Sequence, residues 1–224
     1  LYLMVEKIKQ VLSQIQEQIA PYTPNIVAVT KYFGREAILD AYQVGLRNFG
    51  ESRAVEAIEK INSLPEEVKE NSKFHFIGHL QSNKVNKVVK NFDVIHSVDS
   101  LKLAQAISDE AIKEGKTQDV FLQLNNANEE QKFGFSKEEL FENFSKIKDL
   151  KGLNILGLMN IAPLGLSENE LDILFEDVRQ TQNELVNKFN CEMKELSMGM
   201  SQDYQIAVRH GATMLRIGRK LFSN

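Results

Sequence analysis

The sequence is defined first by what it lacks. Its 224 residues hold one cysteine, Cys191. No internal disulfide can form, and a lone thiol of this kind suits a reducing compartment, where it reads as a small core or surface residue. Lys and Arg number 27 against 31 Asp and Glu, a net charge of −4, and no stretch gathers the basic residues into a block. Nucleic acid and anionic membrane surfaces both demand a positive footprint, so neither is expected as a partner. No apolar run reaches the length of a membrane span and no signal-peptide pattern opens the chain, so a cytoplasmic protein is expected. There is no Pro-, Ser- or Gly-rich linker and no internal repeat, which predicts a single domain over residues 1–224. The four histidines, at 75, 79, 96 and 210, avoid metal-binding spacings, and no metal is expected. Neither a GxSxG nucleophile elbow nor a GxxxxGK[ST] phosphate loop is present.

What is present is an alternation. Short apolar runs fall at 25–30, 47–50, 74–78, 93–98, 119–125, 154–160, 194–199 and 213–218. Between them lie amphipathic stretches such as 100–115 and 168–189. Eight strands with helices between them predict parallel pairing and right-handed crossovers. In a chain of this length that means an α/β fold, a single (β/α)8 TIM barrel. A doubly wound open sheet is the alternative. Residues 1–20 carry a further helical pattern, with Leu3, Val5, Ile8, Val11, Leu12 and Ile15 assigned to one broad face. They read as an extra N-terminal helix packed on the barrel.

A barrel of this kind places its site at the C-terminal ends of the strands. The unusual residues fall near such ends: Lys31, Asn48, Glu51, His79, Gln81, Asn125, Met159, Ser197 to Ser201, Arg216 and Gly218. Val27, Val29 and Lys31 share a strand face, so an inward Val27 and Val29 put Lys31 at the barrel mouth. An amine there can attack a carbonyl. The plainer alternative is a lysine that snorkels to water. Ser201 reads as the cap of the helix after the seventh strand, with Gln202 and Asp203 in its first turn and Gly211 at its end. Barrels often bind phosphate between the loops after strands seven and eight, where Ser201 and Gly218 lie. Arg216 shares a face with Met214, and an inward guanidinium needs either a ligand or a protein partner, such as a barrel carboxylate. Met159 fits core packing as readily as a ligand contact.

The stretches "VAVTK", "NFGES", "FHFIGHLQSNK", "SVDS", "GLMNIAP", "LSMGMSQD" and "RIG" follow in the order and spacing of one family. From the first strand to the C-terminus the chain resembles the pyridoxal phosphate homeostasis proteins, which are similar to the N-terminal barrel domain of alanine racemase. The resemblance implies a barrel of the alanine racemase N-terminal type that binds pyridoxal 5′-phosphate (PLP). By that resemblance Lys31 holds PLP as an imine, and Ser201 with the Arg216–Gly218 turn holds its phosphate and ring. Arg216 faces the pyridine nitrogen and keeps it unprotonated, which weakens the ring as an electron sink. Asn48 lies near the ring and Met159 lines the pocket. Two departures stand out: Ser52 replaces the family's Asn after "GE", and the tail reads "LFSN" where the family continues as Phe-Gly.

Three function classes follow. The resemblance implies storage or delivery of PLP without efficient catalysis, with apo PLP-dependent enzymes as candidate recipients and a monomer as the expected state. A weakly active PLP-dependent amino-acid racemase is the alternative. Racemisation needs proton donors on both faces of a carbanion. Alanine racemase takes its second donor, a tyrosine, from a separate C-terminal domain, and this chain stops where that domain would start. None of the tyrosines at 2, 22, 32, 42 and 204 is placed opposite Lys31, Tyr32 being expected on the other strand face. A cofactor-free phosphosugar isomerase with Glu51 or His79 as base is the third class, outweighed by Lys31. Lys132 and Lys220 are candidates for a second capturing lysine and read by default as surface residues.

Overall fold

The computed structural model describes residues 2–130 and 132–223. Its elements run α1 (Tyr2–Ile19), β1 (Asn25–Val29), α2 (Arg35–Val44), β2 (Asn48–Glu51), α3 (Ala54–Asn62), α4 (Glu66–Asn71), β3 (Lys73–Phe76), α5 (Val85–Asn91), β4 (Val94–Val98), α6 (Leu101–Lys113), β5 (Gln118–Gln123), α7 (Lys137–Lys148), β6 (Leu153–Met159), α8 (Glu168–Phe189), β7 (Glu195–Ser197), α9 (Tyr204–Arg209), β8 (Met214–Ile217) and α10 (Arg219–Phe222). Each strand lies parallel to the next, and β1 closes the ring on β8. Parallel neighbours cannot be joined by a hairpin, so each connection carries a crossover, here mostly helical. Closure excludes the open doubly wound sheet, which leaves two edge strands. The β1–β8 register sets Val27 opposite Arg216 and Ala28 opposite Ile217.

Strand alternation divides the core in two. Val27, Val94, Phe121, Met159 and Met214 form a cluster inside the barrel. Ile26, Ala28, Phe49, Ile95 and Leu215 belong to the larger cluster shared with the helices. Burying a side chain such as the fully enclosed Phe121 contributes about 1.5–3 kcal/mol. Several helices begin with a serine cap on the face where the strands end: Ser100 for α6, Ser136 for α7 and a full capping box of Ser167 with Glu170 for α8.

Two local departures from the sequence reading have simple causes. Leu3, assigned to the packed face of α1, is 84% exposed, while Ile8, Ile15 and Ile19 are buried. At 100° per residue Leu3 lies about 140° around the helix from Ile8, off the stripe. The strand expected at 194–199 stops at Ser197, because Gly199 takes a left-handed φ of 103°. A Cβ there would meet Ala207 and Leu215 at 2.8 Å, so only glycine suits the turn.

Candidate functional site

The chain leaves β1 at Val29 and turns through Lys31 and Tyr32. Below that turn lies a buried anchor. Glu51, at the end of β2, pairs with Lys60 of α3 at 2.9 Å, and Lys60 also donates to the Thr30 carbonyl at 3.0 Å. The Thr30 hydroxyl donates to the same carboxylate. Glu51 therefore faces α3 and fixes the backbone before Lys31, which removes it as a free base for isomerase chemistry. Lys31 itself is half-buried. Its Nζ stands 5.0 Å from the centre of the Tyr32 ring. Tyr32, expected to point away, thus lies beside the amine, because strand alternation ends where the strand does.

One hollow opens beside this turn and a second lies by the loop after β7. A cavity of about 690 Å3 opens on the side of β2 and β3, with Lys31, Ser52, Arg53, His79 and Gln81 among its lining residues. The His79 ring stacks on Phe133 with centroids 3.6 Å apart. Ser52 packs so closely on Gly78 that a Cβ there would sit 2.7 Å from it. The smaller hollow, about 230 Å3, includes Ser201, Gln202, Tyr204 and Lys220 in its wall.

Ser201 does not cap α9 as its sequence position suggested. That helix begins at Tyr204 with Asp203 before it, and Asp203 accepts from the Met200 N–H at 2.7 Å. Burial raises the Asp203 carboxyl above the ordinary value, opposed by that N–H and by Arg216. The Ser201 hydroxyl instead accepts from the Lys220 N–H at 3.4 Å, tying the loop after β7 to the start of α10. Among the described residues, no protein acceptor meets the backbone N–H of Ser201 or Gln202. Gly218 brings its backbone against β1, where a Cβ would lie 3.1 Å from that of Val29. A hydroxyl and N–H groups without a protein acceptor among the described residues are the kind of donors that an anion takes.

Arg216 lies inside the barrel, 3% exposed. No described carboxylate pairs with it, so the salt bridge entertained from sequence is absent among the described residues. Nη1 donates to Ser197 Oγ at 2.6 Å and Nη2 to the Asn160 carbonyl at 2.7 Å. Burial lowers its pKa to about 10, which still leaves it charged at neutral pH. From Ser197 the contacts continue to His96 Nδ1 (2.9 Å), from His96 Nε2 to His75 Nδ1 (2.9 Å) and from His75 Nε2 to Asn48 Oδ1 (2.9 Å). Burial pushes His75 down to about 3 and drives His96 well below the ordinary imidazole value.

Asn48, expected beside the ring at a strand end, opens β2 instead of closing it, and its carbonyl is taken by His75. Met159 is fully enclosed in the inner apolar cluster, the core position its residue type also allowed. His75, His96, Ser197 and Asn160 were missed as a group. The available signal was polar residues in inward phase with apolar ones, His96 two places from Val94 and His75 two from Ile77. Their meeting depends on pairing across five strands, which no local spacing reveals.

Residues 4–223 match the model of the alanine racemase N-terminal domain family. The pyridoxal phosphate homeostasis protein of Synechocystis is 41% identical over 95% of this chain and 97% of its own length. That of Homo sapiens is 35% identical, over 97% of this chain and 82% of its own. The structure of PipY from Synechococcus elongatus with PLP bound has a TM-score of 0.87 and 37% identity, covering 96% of this chain and all of that one. Alanine racemase from Clostridium difficile, at 15% identity and a TM-score of 0.80, shares the fold.

Proposed function

The chain belongs to the pyridoxal phosphate homeostasis proteins of the alanine racemase N-terminal domain family, and from that premise we propose that it binds PLP for storage or delivery, without efficient catalysis. Residues 1–224 act in this reading as one cofactor-binding domain. When bound, the group supplies an electrophilic aldehyde and a ring that can draw electrons from an attached amine. Lys31 holds the aldehyde carbon through its amine. Ser201 and the N–H groups around it, with the Gly218 turn, hold the phosphate. Arg216 donates to the ring nitrogen.

The observation that carries the reading is the β1–β8 pair, which joins a strand running out to Lys31 to one holding a guanidinium with no carboxylate partner among the described residues. The donors fit the group: an amine for an aldehyde, N–H and hydroxyl for a phosphate, a cation for an unprotonated ring nitrogen. Non-catalysis is supported by the same guanidinium. A donor that keeps its proton leaves the ring a weak electron sink, and the cavity beside Lys31 admits water that competes for a carbanion. Apo PLP-dependent enzymes are the proposed recipients, and a monomer the proposed state.

The test is the visible spectrum with PLP before and after borohydride, for wild type and Lys31→Ala. A yellow band in wild type, fixed by reduction and lost in the variant, is the expected result. The same band in both proteins would remove Lys31 from the site. Formation of D-alanine from L-alanine well above the Lys31→Ala background would overturn the non-catalytic reading.

A further inference from the structure

Arg216, Ser197, His96, His75 and Asn48 cross the barrel interior in single file, from β8 through β7, β4 and β3 to β2. The first four are at most 3% exposed. The chemistry of the two ends fixes the direction of every bond between them. A guanidinium only donates, so Ser197 Oγ accepts from Arg216. With both imidazoles neutral, the Asn48 oxygen at the far end sets the rest, so Ser197 gives its single proton to a bare His96 Nδ1. His96 carries its proton on Nε2 and gives it to His75 Nδ1. His75 likewise carries its proton on Nε2 and gives it to Asn48 Oδ1, which only accepts. The file is one-way, and each member has one role in it.

A second proton on His75 would set its Nδ1–H against the His96 Nε2–H, and one on His96 would turn the Ser197 hydroxyl from donor to acceptor. The other titratable groups acting here are Lys73 on His75, and Arg216 and His75 on His96, and all of them oppose imidazole charging. Asp203 acts on Arg216 itself and favours its charged form. Each dipole in the file turns its electron-rich end toward Arg216, so the buried cation is compensated with no carboxylate in hydrogen-bond contact among the described residues. A carboxylate in the same place would cancel the cation's field at whatever it faces. Aligned neutral dipoles leave most of that field in force.

We infer that His75 and His96 are positioning residues for Arg216, a neutral one-way chain that keeps the guanidinium charged and aimed. The inference rests on reading Arg216 as the partner of the PLP ring nitrogen. It predicts that the polar file, and not only the residues touching PLP, sets how firmly PLP is held and how its spectrum answers to pH.

The first arm needs no cofactor. Nitrogen-15 NMR of the wild-type protein should find both imidazoles protonated on Nε2 alone, with no titration through the neutral range. A proton on Nδ1 of either ring, or a ring that charges near neutrality, would overturn the chain. The second arm uses PLP-loaded protein. His96→Leu breaks the file, whereas His96→Gln keeps an acceptor for Ser197 and a donor for His75. In folded protein, His96→Leu and Ser197→Ala should each speed PLP loss on dilution about tenfold and shift the pH midpoint of the visible band, with His96→Gln close to wild type. If His96→Leu folds and matches wild type in both readouts, His96 positions nothing. If wild type takes up no PLP, the functional reading falls, while the tautomer pattern still decides the chain.

Discussion

At the scale of single residues, the molecule separates the groups proposed to meet PLP from those that hold the backbone around them. Glu51 belongs to the second kind. It is 2% exposed, and its carboxylate answers Lys60 and Thr30 directly under the Lys31 turn. Glu51→Ala would strand the Lys60 ammonium in a site of low polarity. Breaking one half of a buried pair costs about 3–5 kcal/mol, so urea unfolding should move by that amount. Removing both partners, as Glu51→Leu with Lys60→Met, should recover much of the loss. Strand alternation put Lys31 just past the end of one strand and Arg216 inward on another, but left each a plainer alternative, a lysine that snorkels to water and a salt-bridged arginine, between which only the family resemblance chose. Asn48 and Tyr32 were misplaced for opposite reasons. Asn48 has its partner on another strand, and Tyr32 sits just beyond the last residue for which alternation holds. The link from His96 to Ser197 spans 101 positions, so no reading of neighbours could supply it.

At the scale of elements, α8 holds the second half of the barrel together. Its Gln182 donates to the carbonyls of Met193 and Glu195 and accepts from the Leu158 N–H, which stitches β6 to β7. Gly157 permits the approach, since a Cβ there would fall 1.7 Å from the Glu195 carbonyl oxygen. The outer face of α8 is joined to α9 by Arg209, which reaches Glu168 and Asp172, and by polar contacts of His210. His210, just after α9, lies 2.7 Å from Asp172 and 3.1 Å from Glu176. Arg179, then His210, hold Glu176 down from the ordinary 4.5 to about 2. The unfolded chain binds that proton more readily, so the contribution is present above the ordinary value and is lost as pH falls toward 2. The urea midpoint of Glu176→Gln should lie below wild type at neutral pH. The two should converge on acidification, giving the variant a shallower acid limb. The strand pattern was readable to within two residues at nearly every end. What escaped it was the turn at Gly199, whose need for glycine comes from packing against α9 and β8.

At the scale of the whole molecule, the barrel closes where its first and eighth strands pair. A ligand held from both sides of that closure adds its binding energy to the folded state alone. At a hundredfold excess over Kd this is worth about 2.7 kcal/mol. Differential scanning calorimetry should therefore find a thermal midpoint that rises with PLP in wild type and stays flat in Lys31→Ala. Closure was legible from the count of eight units in a chain of this length. The identity of the inner polar file was not, because it exists only once the circle is complete.

That circle also sets a clock. In chain order Lys31 leaves the ribosome well before Ser201, Arg216 and Gly218. Until the eighth strand has emerged and found the first, the Lys31 amine stands without the groups proposed to hold PLP beside it. In the proposed reading, capture of the cofactor waits for that pairing, and a retained cofactor certifies that the ring has shut.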